Sequence, residues 1–211
     1  MSRIPIRLTE VLLRKGVRHL IAQDPDLAAI VAAYGYPPLW AREPGFPTLI
    51  HIILEQQVSL ASARAANERL KQAGIVTPRR FVTYDDAQLK AIGFSRQKTA
   101  YGRALAEAIL RGELDLRALE VMDDAHARAA LIAQKGVGPW TADIYLLMAL
   151  GRPDVWPPGD IALASAMQRV KRLPARPTNE RTAEISANWR PWRAAAARLL
   201  WHFYLSQPTR A

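Results

Sequence analysis

Cysteine is absent from the chain, which excludes disulfides, thiolate nucleophiles, cysteine-ligated zinc and cysteine-ligated iron–sulfur clusters together. Histidine is scarce. No two of His19, His51, His126 and His202 stand at the H-x-x-x-H spacing, and neither HExxH nor the H-x-E signature of zinc deaminases occurs. Metal-assisted hydrolysis has little support, and no metal or other cofactor is expected. Long apolar runs are missing as well: the longest strongly apolar stretch is Ile144 to Leu150, far below the roughly 20 residues that span a bilayer. The N-terminal Met-Ser-Arg-Ile-Pro-Ile-Arg lacks the apolar core of a signal peptide. These absences predict an intracellular protein without a membrane partner. Runs of alternating apolar and polar residues are lacking too, so the expected fold class is all-α.

What the chain has is positive charge. Its 211 residues carry 29 Lys+Arg against 19 Asp+Glu, a net charge of +10, and half are apolar. Such a composition is globular rather than disordered, and its length suits one large domain or two small lobes. The surplus charge suits a polyanionic partner, nucleic acid first and an anionic membrane surface second, and it is also compatible with plain solubility.

Helical spacing recurs along most of the chain. Ile50, Ile53, Leu54 and Val58 form one apolar stripe after Pro47, and Ser59 caps a helix running through Leu70 to Gly74, with Gln56-Gln57-Val58 as the junction. Tyr101, Leu105, Ala108 and Ile109 mark a helix starting near Ser95, where Arg96, Lys98 and Arg103 supply much of the charge and Arg96 and Lys98 read as a solvated face. Asp123 caps a helix ending near Gln134. Gly136-Val137-Gly138-Pro139 then leads into a buried helix ending at Gly151, and Pro153, Pro157, Pro158 and Gly159 break the chain before Asp160 opens another. Two more helices are expected around Glu180 to Asn188 and Trp192 to Leu205. We expect two helical lobes with a cleft between them, residues 1–46 and 155–211 forming one and 47–154 the other.

Gly136-Val137-Gly138 frees the backbone to turn tightly between two helices, and the second helix then starts with outward-facing N–H groups. With the positive end of that helix and Lys135 alongside, the hairpin suits a phosphate of a nucleic-acid backbone. A tight turn between helices has the same needs, so the tripeptide alone leaves both readings open.

The wider context is Gln134-Lys135-Gly136-Val137-Gly138-Pro139-Trp140-Thr141-Ala142-Asp143, with Pro158-Gly159-Asp160 placing its aspartate 22 positions after Gly138. This order resembles the helix-hairpin-helix DNA glycosylase superfamily, and within it the alkylation-repair branch of the 3-methyladenine DNA glycosylase II type. Leu54 to Ser59 and Trp189-Arg190-Pro191-Trp192-Arg193 resemble that branch too. The resemblance runs from about Gly45 to Tyr204, and the N-terminal β domain of some relatives is not expected here.

The resemblance implies a monomeric enzyme acting on double-stranded DNA that contains damaged bases, cytoplasmic with the nucleoid in a bacterium or nuclear in a eukaryote. It makes Asp160 the catalytic carboxylate, stabilising an oxocarbenium-like sugar or orienting water, although an aspartate there also reads as an ordinary helix cap. Trp140 stands where bifunctional members carry a Schiff-base lysine, so the expected reaction ends at an abasic site. Trp140 and Trp201 are expected in the base pocket, where an aromatic wall suits a cationic purine. Gln57 occupies the position of the residue wedged into the duplex. Lys135, Gly136, Val137, Gly138 and Thr141 complete the expected DNA-binding set. Tyr34, Tyr36 and Trp40 read as core, surface or cleft residues. The rival reading is a non-catalytic helix-hairpin-helix module that binds the DNA backbone.

Overall fold

Side chains able to satisfy the first N–H groups of a helix set most helix starts. The computed structural model describes residues 5–207. Thirteen helices occur among them: α1 (Glu10–Gln23), α2 (Pro25–Tyr34), α3 (Phe46–Glu55), α4 (Leu60–Gln72), α5 (Pro78–Phe81), α6 (Asp86–Ile92), α7 (Arg96–Leu110), α8 (Ala118–Val121), α9 (Asp124–Ile132), α10 (Pro139–Met148), α11 (Ile161–Val170), α12 (Asn179–Ala187) and α13 (Arg193–Ser206). Ser59, Ser95, Asp123 and Asp160 each accept an N–H from the first turn of the helix that follows. Each such cap contributes about 1 kcal/mol. No strand occurs among the described residues, and no helix among them is long and apolar enough to cross a membrane. The fold is all-α.

The chain divides into two compact units. One is built from Arg42–Leu150 and the other from Ile6–Ala41 with the chain from Gly151 on. In the first, α10 is buried on every side from Thr141 to Leu147 and packs on α3 and α9, as a helix without a polar face must. Phe46, Ile50 and Ile53 of α3, Phe81, and Leu105 of α7 continue that core. The sequence division put residues 42–46 in the other lobe. They belong here because Arg42 N–H donates to Met148 O and Gly45 N–H to the Tyr145 hydroxyl, both at 2.9 Å. Burial pushes the Tyr145 phenol up to about 12.

Val58 does not extend the α3 stripe: it is 45% exposed. The helix stops at Glu55 because Gln56 turns extended (φ −61°, ψ 124°), and Gln57 follows with a left-handed backbone (φ 55°). Lys98, expected on a solvated face, instead donates from Nζ to Leu54 O at 2.7 Å and closes the end of α3. Its half-buried site lowers the ammonium from its usual range.

In the second unit α13 is the central helix. Its run Ala194–Ala197 is fully buried, and these small side chains let α1, α2, α11 and α12 pack around it. Gly16 of α1 lies against Trp192, where a Cβ would come within 2.7 Å of the indole. Residues 151–154, assigned from sequence to the central lobe, belong here instead. Gly151 O accepts the Leu8 N–H, Pro153 O accepts the Ala194 N–H, and Asp154 pairs with Arg193. Lys171, at the end of α11, reaches Asp24 and Asp26 at the start of α2, while Trp189 Nε1 donates to Asp24 at 2.8 Å.

Candidate active site and nucleic-acid interface

In the first unit the hairpin between α9 and α10 is held from three directions. Arg128 of α9 makes a two-pronged pair with the buried carboxylate of Asp143 on α10, Nε at 2.8 Å and Nη2 at 3.1 Å. Fork-to-carboxylate geometry of this kind fixes direction as well as distance. Val137 is buried and anchors the tip, and its N–H donates to Gln134 O. Gly136 takes a left-handed φ of 86°, and a Cβ there would collide with the ring of Tyr101. Glycine is therefore required twice over, by conformation and by space.

Gly138 is exposed and starts α10 without a side-chain cap, with Pro139 next. An uncapped N-terminus behind a glycine turn is the geometry that receives an anion. Lys135 is exposed on the same hairpin, and Trp140 is half-buried in the first turn of α10. Thr141 departs from the expectation of a phosphate ligand. It is only 2% exposed, and its Oγ1 accepts from Gln56 Nε2 at 2.9 Å.

Gln57 is exposed at the tip of the turn joining α3 and α4. Its neighbour Gln56 points the other way, with Nε2 also donating to Gly136 O at 2.9 Å. Sequence reasoning chose Gln57 and missed Gln56. Two identical neighbours cannot be told apart until the backbone shows that Gln57 is left-handed and faces outward. Arg128 and Asp143 were missed too, since an ion pair between two helices carries no local signal.

The second unit holds Asp160 and Trp201. Asp160 caps α11, its Oδ1 accepting the Leu163 N–H at 2.8 Å, and the same oxygen accepts the Trp201 indole N–H at 3.3 Å. The capping and catalytic readings of Asp160 are thus compatible, since the cap holds the carboxylate still. Trp201 is 8% exposed. Trp189 and Trp192 serve packing, against Trp156 and Gly16 respectively. Tyr34 is exposed and accepts from Gln207 Nε2, and Tyr36 lies under the Arg14 guanidinium. Trp40 is half-buried with a left-handed backbone, edge-on to His202.

A glycine hairpin between stapled helices, with a capped aspartate after a proline-rich break, defines an all-helical protein of the helix-hairpin-helix class. The family model described as HhH-GPD superfamily base excision DNA repair protein matches residues 50–191, and the chain belongs to that superfamily. It is similar to the putative DNA-3-methyladenine glycosylase YfjP of Bacillus subtilis, 29% identical over 83% of this chain and 64% of that protein. The chain thus spans less than two thirds of that relative's length. It is also 29% identical to DNA-3-methyladenine glycosylase 1 of Schizosaccharomyces pombe, over 90% of this chain and 86% of that one. Among solved structures, the S. pombe 3-methyladenine DNA glycosylase Mag1 in complex with abasic DNA superposes with a TM-score of 0.83. The two are 28% identical, and the match covers 89% of this chain and 95% of that one.

Proposed function

We propose that this chain is a monofunctional DNA glycosylase that takes alkylated purines of the 3-methyladenine type out of duplex DNA and hydrolyses their N-glycosidic bond, acting as a monomer. The observation that carries the reading is the Asp160 carboxylate held through one oxygen by the Leu163 N–H and the Trp201 indole. The names of the relatives support the substrate class.

Chemically, a methylated purine is cationic and leaves without much protonation, so the difficulty lies in the positive charge left on the sugar. A fixed carboxylate stabilises that charge as it develops, at no cost in reorganisation. Asp160 serves this purpose and directs the water that completes hydrolysis. Trp201, beside Asp160, gives an electron-rich surface to a base that has lost electron density, a preference of roughly 0.5–2 kcal/mol. With Trp140 in place of an amine, no imine forms and the product is an abasic site. The exposed Gly138 and Lys135 grip the backbone, and Gln57 fills the gap left by the extruded nucleotide.

Base release from duplexes bearing methylated adenine, methylated guanine, hypoxanthine or ethenoadenine tests this directly. Faster release of the methylated purines than of the neutral lesions is the expected result. No release from any of them overturns the reading in favour of backbone binding alone.

A further inference from the structure

We propose that Gln56 is a positioning residue: its side-chain amide locks the α3–α4 turn to the glycine hairpin, so that the turn carrying Gln57 and the backbone-gripping hairpin act as one body. The inference rests on the reading of this unit as the DNA-engaging one and deepens it.

The amide of Gln56 spends both of its N–H groups outside its own turn. One goes to Gly136 O in the hairpin and one to Thr141 Oγ1 in the first turn of α10, each at 2.9 Å. Its orientation is fixed chemically, because a backbone carbonyl only accepts, and the reversed amide would set two oxygens against each other. The acceptors lie 80 and 85 residues away along the chain, so the link joins elements that have no covalent reason to keep step. Thr141, too buried to meet a phosphate, finds its role here.

The two elements are also indexed on a common support. Lys98 and Tyr101 stand one turn apart on α7. Lys98 Nζ closes the end of α3 at Leu54 O, and the ring of Tyr101 lies under Gly136. Glu55 is held by Arg42 through two hydrogen bonds, at 3.0 and 2.7 Å. From α3 through Gln56 to the hairpin, down to Tyr101 and back through Lys98, the contacts form a closed ring. A ring of this kind resists shear in a way that a single link does not. Gln57 follows directly in a left-handed conformation that a non-glycine residue keeps only where its surroundings over-determine it.

Two measurements on the full chain test the proposal. The first is amide hydrogen exchange in the free protein. Gln56→Leu should speed exchange of the Val137 amide at least tenfold, Thr141→Val should do so by less, and Gln57→Ala should leave it unchanged. The second compares binding to a duplex carrying a tetrahydrofuran abasic analogue with binding to the undamaged duplex. Gln56→Leu and Gln57→Ala should each reduce the preference about tenfold, and the double variant should lose no more than either one. Gln56→Glu adds a readout that a packing role would not move. A carboxylate facing Gly136 O has no proton to donate, so binding should fail at neutral pH and recover as the pH drops into the carboxyl range, against a flat wild-type control. Unchanged Val137 exchange in folded Gln56→Leu and Thr141→Val overturns the brace, as does additivity in the double variant. Failure of the glycosylase reading is seen separately, as wild-type protein that releases no base while the exchange result stands.

Discussion

Trp201 Nε1 and the Leu163 N–H converge on a single oxygen of Asp160, at 3.3 and 2.8 Å. Asparagine caps a helix almost as well as aspartate, so Asp160→Asn should fold normally and bind DNA. Its single-turnover base release should fall by about 10²-fold or more, since the charge that meets the developing cation is gone. Trp201→Phe keeps a ring but removes the donor. A hydrogen bond to a charged group is worth about 1.5–3 kcal/mol, so a loss of roughly tenfold or more in kcat with little change in KM is expected. In an Asp160→Asn background the same change should cost little. Equal cost in both backgrounds would assign Trp201 to the pocket wall alone.

Trp140 gives the next prediction. Borohydride added during turnover should trap no covalent protein–DNA adduct, and strand breaks should appear only after alkali or heat. A trapped adduct would show that an amine elsewhere in the chain does the work of the missing lysine.

Gly136→Ala should lower stability by about 2–4 kcal/mol, combining the left-handed φ with overpacking against the Tyr101 ring. Shortening the ring should separate the two causes. In a Tyr101→Ala background the added cost of Gly136→Ala should shrink to about 1–2 kcal/mol, the backbone contribution alone. Chemical denaturation of the four proteins closes the cycle.

The acid limb of stability should belong in part to Asp24. Burial alone would raise its carboxyl, but hydrogen bonds from Lys171 and Trp189 and the Lys171 charge outweigh it and hold the group below its ordinary 3.8. A folded-state value below the unfolded one adds stability that is present above pH 3.8 and lost as the pH falls through the folded value. Wild-type protein should therefore lose stability on acidification through this range, and Asp24→Asn should show a shallower acid limb. Near neutrality the variant should be weaker by about 2 kcal/mol, with Lys171 left short of its partner. Urea midpoints measured against pH check both statements.

Much of this architecture was legible because its signals are local. Ser59, Ser95, Asp123 and Asp160 announce helix starts through the groups just after them, and Gly136-Val137-Gly138 announces a turn by what glycine permits. Thr141 and Val58 misled for the opposite reason. Val58 continues a periodic stripe whose helix has already ended at Glu55, and Thr141, a first-turn hydroxyl suited to a phosphate, is covered by Gln56 from 85 positions away. Lys98 looked like a solvated charge because its acceptor, Leu54 O, is 44 positions away. The first 45 residues yielded no firm element, yet α1 and α2 form there, secured by Trp192, Lys171 and Trp189, which come far later in the chain.

The unit holding Asp160 is assembled from both arms of the chain, with Arg42–Leu150 inserted between them. On the ribosome this imposes an order. At about 5–20 residues per second, α1 and α2 wait on the order of ten seconds while the inserted unit is made, and longer still for α13 to leave the exit tunnel. Throughout that interval Leu13, Val17, Leu20, Leu27 and Ile30, all buried in the finished protein, have only the partner helix of the α1–α2 pair to pack against and lack α13. The core around α10 is complete once Leu150 has emerged, so the unit bearing the hairpin can be in place before the unit bearing Asp160 exists. A nascent chain of this protein would carry a finished glycine hairpin before the two groups that hold Asp160 had been brought together.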